Sequence, residues 1–255
     1  MTVTGERVTT PAGRFNPTWQ RHVAAYALCG ELLGPARVLD LGAGVGHSYD
    51  RLAPRETVGV DLDPEALAGQ QRETVVADMR ALPFADRSFA SVLSIQSIEH
   101  VPDPERVLRE ITRVLEPEGA AVFVTPNRLT FARPDEIIDP YHYVEYDPEQ
   151  LGALCEPHFE RVELLGLFGS ARYLELVAEE LQRLDGLLAR DPLRIRRAVP
   201  RRTRQWLYDL MLTRARRQED PRAAAITEHD FELRSEGLAG CLDVVAVARG
   251  PRDPR

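Results

Sequence analysis

The 255-residue chain contains no lysine, so all 32 of its basic side chains are arginine. A replacement this complete follows GC-rich coding more than a choice of chemistry. There is no surplus of positive charge either. The formal net charge is -8, and because phosphate backbones are bound by clustered cations, broad nucleic-acid binding is set aside. Cysteine is scarce. Cys29, Cys155 and Cys241 are odd in number and far apart, which excludes a complete disulfide framework, offers no metal-ligand spacing and makes them reduced packing residues. No metal is expected. No stretch approaches the roughly 20 apolar residues of a membrane-spanning helix. The opening MTVTGERVTTPAGRF lacks the apolar core of a signal peptide, so a soluble, cytoplasmic protein is expected.

What is present is alternation. Pro17 and the recurrence of Trp19, Val23, Tyr26 and Leu33 predict a first helix capped by Asn16 and ending near Gly34-Pro35. ARVLDL then reads as a buried parallel strand, followed by TVGVD, TVVAD and FASVLSI as strands two to four, with DPEALAGQQ as a helix. Residues 103 to 116 form a helix capped by Asp103 and stopped at Gly119; AAVFVTPN is strand five, 147 to 155 a helix, and RVELLGLF and CLDVVAVA are later strands. This order predicts an α/β, doubly wound sheet. The expected division is an N-terminal lid helix over 1–35, a core over 36–169, a helical insertion over 170–238, a final strand over 239–250 and a disordered tail over 251–255.

In such sheets, ligands sit outside the carboxyl ends of the strands at the topological switch point, which here is the loop DLGAGVGHS. Gly42, Gly44 and Gly46 let the backbone turn sharply against a ligand, and a following helix would add free N–H groups. Dinucleotide-binding enzymes use a similar device, so the loop alone leaves the cofactor open. Two further carboxylates narrow it. Asp61, beside Leu62, ends strand two, where it can accept bonds from ribose hydroxyls, and Asp78-Met79 ends strand three, where a carboxylate and an apolar side chain suit an adenine.

Taken in order, VLDLGAGVG, VGVDLDP, VVADMRALPF and SIEHVPDPERVLREITRVLEPEGAAVFVTPN resemble the class I S-adenosylmethionine (SAM)-dependent methyltransferases over residues 36 to 127. The resemblance implies a Rossmann-like, seven-stranded sheet whose last strand is antiparallel, and SAM as cofactor. It also implies that Asp40 and the three glycines surround the methionyl part, Asp61 the ribose, and Asp78 with Met79 the adenine, with Leu62 also among the cofactor-binding residues. One departure is local: the family's common Phe-Asp before strand four is Phe89-Ala90 here.

Methyl transfer is an in-line displacement, and an alcohol acceptor needs a base. His142, in DPYHYVEYDP after strand five, is the favoured base, with Asp139 or Glu145 to orient it, and His100 in EHVPDP is the reserve. Tyr141, Tyr143 and Glu145 would line the acceptor pocket, as would Trp19 and Tyr26 from the lid. The Arg-rich stretch that includes Arg194, Arg196, Arg197 and Arg201 would favour an anionic or sugar-containing small molecule. Methylation at oxygen is therefore expected. The alternatives are a nicotinamide-dependent dehydrogenase and a catalytically silent SAM-binding interaction protein.

Overall fold

The computed structural model describes residues 17–131, 137–189, 199–215 and 221–252. Helix α1 (Pro17–Gly30) precedes β1 (Val38–Leu41), which is followed by β2 (Thr57–Asp61), a single turn α2 (Pro64–Leu67), β3 (Glu73–Val76) and β4 (Phe89–Ile95). Then come α3 (Pro104–Val114), β5 (Leu115–Pro126), α4 (Arg128–Phe131), α5 (Pro148–Cys155) and β6 (Phe159–Gly169). The chain continues through α6 (Ala171–Leu188), α7 (Arg201–Ala215), α8 (Pro221–Ala224), β7 (Phe231–Arg234) and β8 (Asp243–Pro251). The caps act as the side chains predict. Asp103 accepts from the Arg106 N–H at the start of α3, and Asp147 and Gln150 form a reciprocal capping box on α5.

The strands form one sheet in the order β3-β2-β1-β4-β5-β8-β6-β7. β1 to β5 are mutually parallel, while β8 runs antiparallel to both β5 and β6. The sheet therefore has eight strands where seven were expected. The extra one, β7, falls inside the stretch taken as a helical insertion. Its Phe231 and Leu233 alternate with the exposed Glu232 and Arg234, a period of two that suits an edge strand, and it pairs antiparallel with Gly166–Gly169 of β6. One face of the sheet packs Val107, Leu108 and Ile111 of α3 and Leu151 of α5; the other packs Ala24, Ala25 and Cys29 of α1 with Tyr173 and Leu176 of α6.

The order reverses between β1 and β4, which puts the crevice beside the glycine loop, as the alternation requires. The expected helix after that loop is instead a 3₁₀ turn, Tyr49–Leu52. Pro54, with no N–H to give, closes the segment almost at once, and Thr57 already begins β2. Pro251 belongs to β8 rather than to a tail. Asn16, the lid's first residues, Arg194, Arg196 and Arg197, and residues 253–255 lie outside the described residues.

Candidate active site

Gly42, Gly44 and Gly46 all take positive φ, +79°, +51° and +65°, where a side chain is strained. They do different things. A Cβ on Gly42 would sit 2.4 Å from Ser97 Cβ, and one on Gly46 would sit 2.3 Å from Gln70 Oε1, so these two are packed against neighbours. A Cβ on Gly44 would meet nothing within 4 Å. Gly44 is thus the point where bare backbone faces open space.

Asp61 stands beside that point. Its Oδ2 accepts the Gly44 N–H at 2.9 Å and its Oδ1 accepts the Asp63 N–H at 2.9 Å, so the carboxylate that ends β2 is tied to the apex of the loop. Leu62 next to it is 65% exposed, an apolar side chain left uncovered at the rim. Met79 also reaches the loop, its Cε lying 3.7 Å from where a Gly42 Cβ would be. Asp78 lies two residues past the end of β3 and is held by Arg80, whose Nη2 donates to Oδ2 at 2.6 Å and whose Nε donates to Oδ1 at 3.0 Å. These charged bonds hold its carboxyl below the ordinary range.

Asp40 lies beneath the loop rather than on its surface. It is 1% exposed, and its oxygens accept from Tyr26 Oη at 3.0 and 3.2 Å and from Arg72 Nη2 at 2.7 Å. Burial pushes its carboxyl up against the pull of Arg72. Arg72 also stacks on Tyr49, 4.3 Å from the ring centroid, and crosses above Gly59, whose missing side chain leaves room for it. Tyr26, expected among the acceptor-lining residues, is instead buried here with its hydroxyl given to Asp40. Trp19 packs on His47, with ring centroids 4.4 Å apart, and His22 stacks on the same ring at 5.7 Å, so α1 covers the exit of the glycine loop. Burial lowers His22 to about 3 and His47 to about 4, which keeps both neutral.

Next to this cover, the carboxyl end of the sheet carries a buried polar floor that was not foreseen. Gln96, at φ +46° after β4, donates to Asp243 Oδ1 at 3.1 Å, and Arg21 of α1 pairs with Asp243 Oδ2 at 3.2 Å. A non-glycine residue at positive φ is uncommon and tends to mark a functional constraint. Glu99, in the turn after β4, is 1% exposed; its Oε2 accepts from Thr125 Oγ1 at 3.0 Å, while its Oε1 has no hydrogen-bond partner.

The loop after β5 closes over Glu99. The N–H groups of Tyr143 and Val144 donate to the Glu99 carbonyl at 2.8 and 3.3 Å, which brings His142 against His100 with ring centroids 5.0 Å apart. His142 Nδ1 lies 3.1 Å from Glu145 Oε1, and its Nε2 lies 3.9 Å from Asp139 Oδ2. Burial alone would lower the His142 pKa, but the Glu145 hydrogen bond and the charges of Glu99, Asp139 and Glu145 outweigh it, and the net shift is upward. His100 Nδ1 lies 3.3 Å from the Tyr141 carbonyl. Tyr143 is 46% exposed and carries Arg201 on its face, 3.7 Å from the ring centroid. Arg201 also donates to the Pro140 and Tyr141 carbonyls at 2.8 and 3.0 Å, so it braces the loop.

A family model described as a methyltransferase domain matches residues 39–123. A relative from Mycobacterium tuberculosis, named a probable S-adenosylmethionine-dependent methyltransferase, is 31% identical over 264 residues, covering 98% of this chain and 90% of its own. The chain belongs to the S-adenosylmethionine-dependent methyltransferases. A malonyl-[acyl-carrier protein] O-methyltransferase of Halorhodospira halophila is 41% identical over 103 residues, 36% of this chain and 35% of that one. Among solved structures, a SAM-dependent methyltransferase from Thermotoga maritima shares the fold with a TM-score of 0.56 at 18% identity, covering 93% of this chain and 97% of the other.

SAM is thus the cofactor of this methyltransferase, and the nicotinamide alternative falls away. The residues present fit it. Gly44 leaves open space where a side chain would intrude, Asp61 presents a carboxylate beside that space, and Leu62 and Met79 supply apolar surface near the loop. Among the described residues no helix is long and apolar enough to cross a membrane.

Proposed function

We propose that this methyltransferase methylates an oxygen of a small, neutral, hydroxyl-bearing acceptor such as a sugar-containing molecule, with His142 as the base. The observation that carries the reading is the Glu145–His142 pair beside His100. With its Nδ1–H given to Glu145, the imidazole keeps Nε2 to accept a hydroxyl proton, and Glu145 stabilises the imidazolium that results. A nucleophile that arrives already ionised needs no such pair. Glu99, Asp139 and Glu145 are all buried around it, which opposes an anionic acceptor. Arg201, the described member of the Arg-rich stretch nearest this loop, is committed to loop carbonyls.

When bound, SAM supplies a methyl group on a sulfonium sulfur, and its displacement leaves a neutral thioether. Asp61 and the Gly44 backbone would hold the ribose side, Leu62 and Met79 would cover the adenine, and Asp78 would reach the adenine amino group by yielding part of its hold on Arg80. Asp40 acts through the loop it supports. Tyr141 and Tyr143 form the acceptor rim. The new carbon–oxygen bond forms as the hydroxyl proton passes to His142 Nε2. Positioning of this kind supplies effective molarities of roughly 10⁵ to 10⁸ M. The test is a screen with methyl-labelled SAM over neutral sugars and alcohols beside their carboxylated and phosphorylated counterparts. Stable ether products from the neutral set are expected; labelled amines or esters alone would overturn the reading. His142→Gln should cut turnover by about 10²- to 10⁴-fold and leave SAM affinity near wild type.

A further inference from the structure

The hydrogen bonds around Glu99, His100 and His142 leave a set of atoms that proton transfer alone does not use. One ligand atom from each of these three side chains lies within 4.8 Å of the other two. The Tyr141 carbonyl can only accept, so His100 donates from Nδ1, and Glu145 Oε1 likewise engages Nδ1 of His142. With Nδ1 of each ring so engaged, Nε2 is the nitrogen left to bind a ligand, and that of His142 lies 3.9 Å from Asp139 Oδ2. Metal-bound histidines show this same arrangement, with the second ring N–H given to a carboxylate or a backbone carbonyl that fixes tautomer and orientation. Glu99 adds the third donor. It is 1% exposed, one oxygen is satisfied by Thr125 and Oε1 has no partner. A buried carboxylate oxygen left unpaired is costly, and Asp139 and Glu145, 7% and 4% exposed, add further negative charge around the same rings.

We propose that Glu99, His100 and His142 form a binding site for one divalent ion of the borderline transition-metal class, Zn²⁺ foremost. Two imidazoles and one carboxylate suit such an ion better than Mg²⁺ or Ca²⁺, which take oxygen-rich shells. Bonds of about 2.0–2.2 Å require the donor atoms to draw together by roughly an ångström, a side-chain movement within this loop. Three protein ligands leave an open position, as catalytic zinc sites do. The ion's role rests on the oxygen-acceptor part of that reading alone: with the ion bound, His142 would be a ligand, and a hydroxyl at the open position, made more acidic by the metal, would release its proton to solvent water. Binding of the ion does not depend on that reading.

The test uses the full-length, untagged protein, stripped with chelator and desalted, then titrated with Co²⁺ and followed by its visible d–d absorption, with Zn²⁺ as competitor. One saturable equivalent is expected, displaced by Zn²⁺, with at least tenfold weaker binding in Glu99→Gln and in His142→Gln, while Asp61→Ala binds as wild type. SAM affinity, measured on the stripped protein, separates this proposal from the methyltransferase site. The absence of saturable Co²⁺ binding, or equal binding in the Glu99 and His142 variants, would overturn it.

Discussion

Replacing Arg72 with methionine tests how the glycine loop is supported. The Arg72–Asp40 pair is a 2.7 Å contact between side chains that are 4% and 1% exposed. Among the described residues, the Asp40 side chain accepts otherwise only from the neutral Tyr26 hydroxyl. Removing one partner of a buried pair leaves an uncompensated charge and costs about 3–5 kcal/mol. For a chain of this length, each kcal/mol lowers Tm by roughly 2–4 °C, so a fall of about 6–20 °C is expected. Removing both charges, in Arg72→Met/Asp40→Leu, should recover most of that loss. There is a pH signature as well. Without Arg72 the Asp40 carboxyl is raised further above its unfolded value, so the single variant's deficit is full at pH 7 and shrinks as pH falls toward about 4 and Asp40 takes up a proton. Thermal melts followed by circular dichroism measure the fall in Tm, and urea denaturation at pH 7 and pH 5 measures the free-energy differences and their pH dependence. A single variant within about 1 kcal/mol of wild type, or a double variant worse than the single, would refute the claim that the pair holds up the loop.

Two further perturbations separate structure from ligand contact. Gly44→Ala places a side chain at φ +51° in open space, so it should cost only about 1–2 kcal/mol of stability while reducing SAM affinity at least tenfold; calorimetry and thermal melts check the two parts. His22, lowered to about 3 from an ordinary 6.5, stays neutral in the fold while the unfolded chain protonates. Its stabilising contribution is therefore present above about pH 6.5 and is lost as pH falls toward 3, roughly 1.4 kcal/mol per pH unit at most. Denaturation at pH 7 and pH 5 should show about 2 kcal/mol less acid sensitivity in His22→Gln than in wild type.

Much of the sheet was legible because its strands are apolar runs between glycines and caps; FASVLSI, for example, is β4 residue for residue. β7 was not, because four residues of alternation inside a Leu-, Arg- and Glu-rich stretch resemble a helix face until β6 is there to pair with them. The three glycines look equivalent in the sequence, yet only Gly44 faces open space, a difference set by Ser97 and Gln70 from distant segments. The strand-end carboxylates were found by spacing, but spacing does not say which way they point. Asp40 alternates into the interior and is taken by Arg72, 32 residues on, whereas Asp61 remains at the loop. His142 and His100 were each singled out, but Glu99 passed unnoticed because only closure of the loop after β5 joins the three.

The most direct test of the account is calorimetric titration of the purified protein with SAM, beside NADH, for wild type and Asp61→Ala. One equivalent of SAM should bind to wild type and none of the NADH, with the variant weaker by at least about 1.5–3 kcal/mol, the value of a charged hydrogen bond. Equal SAM affinity in the two proteins would contradict the placement of the cofactor at the Gly44–Asp61 junction.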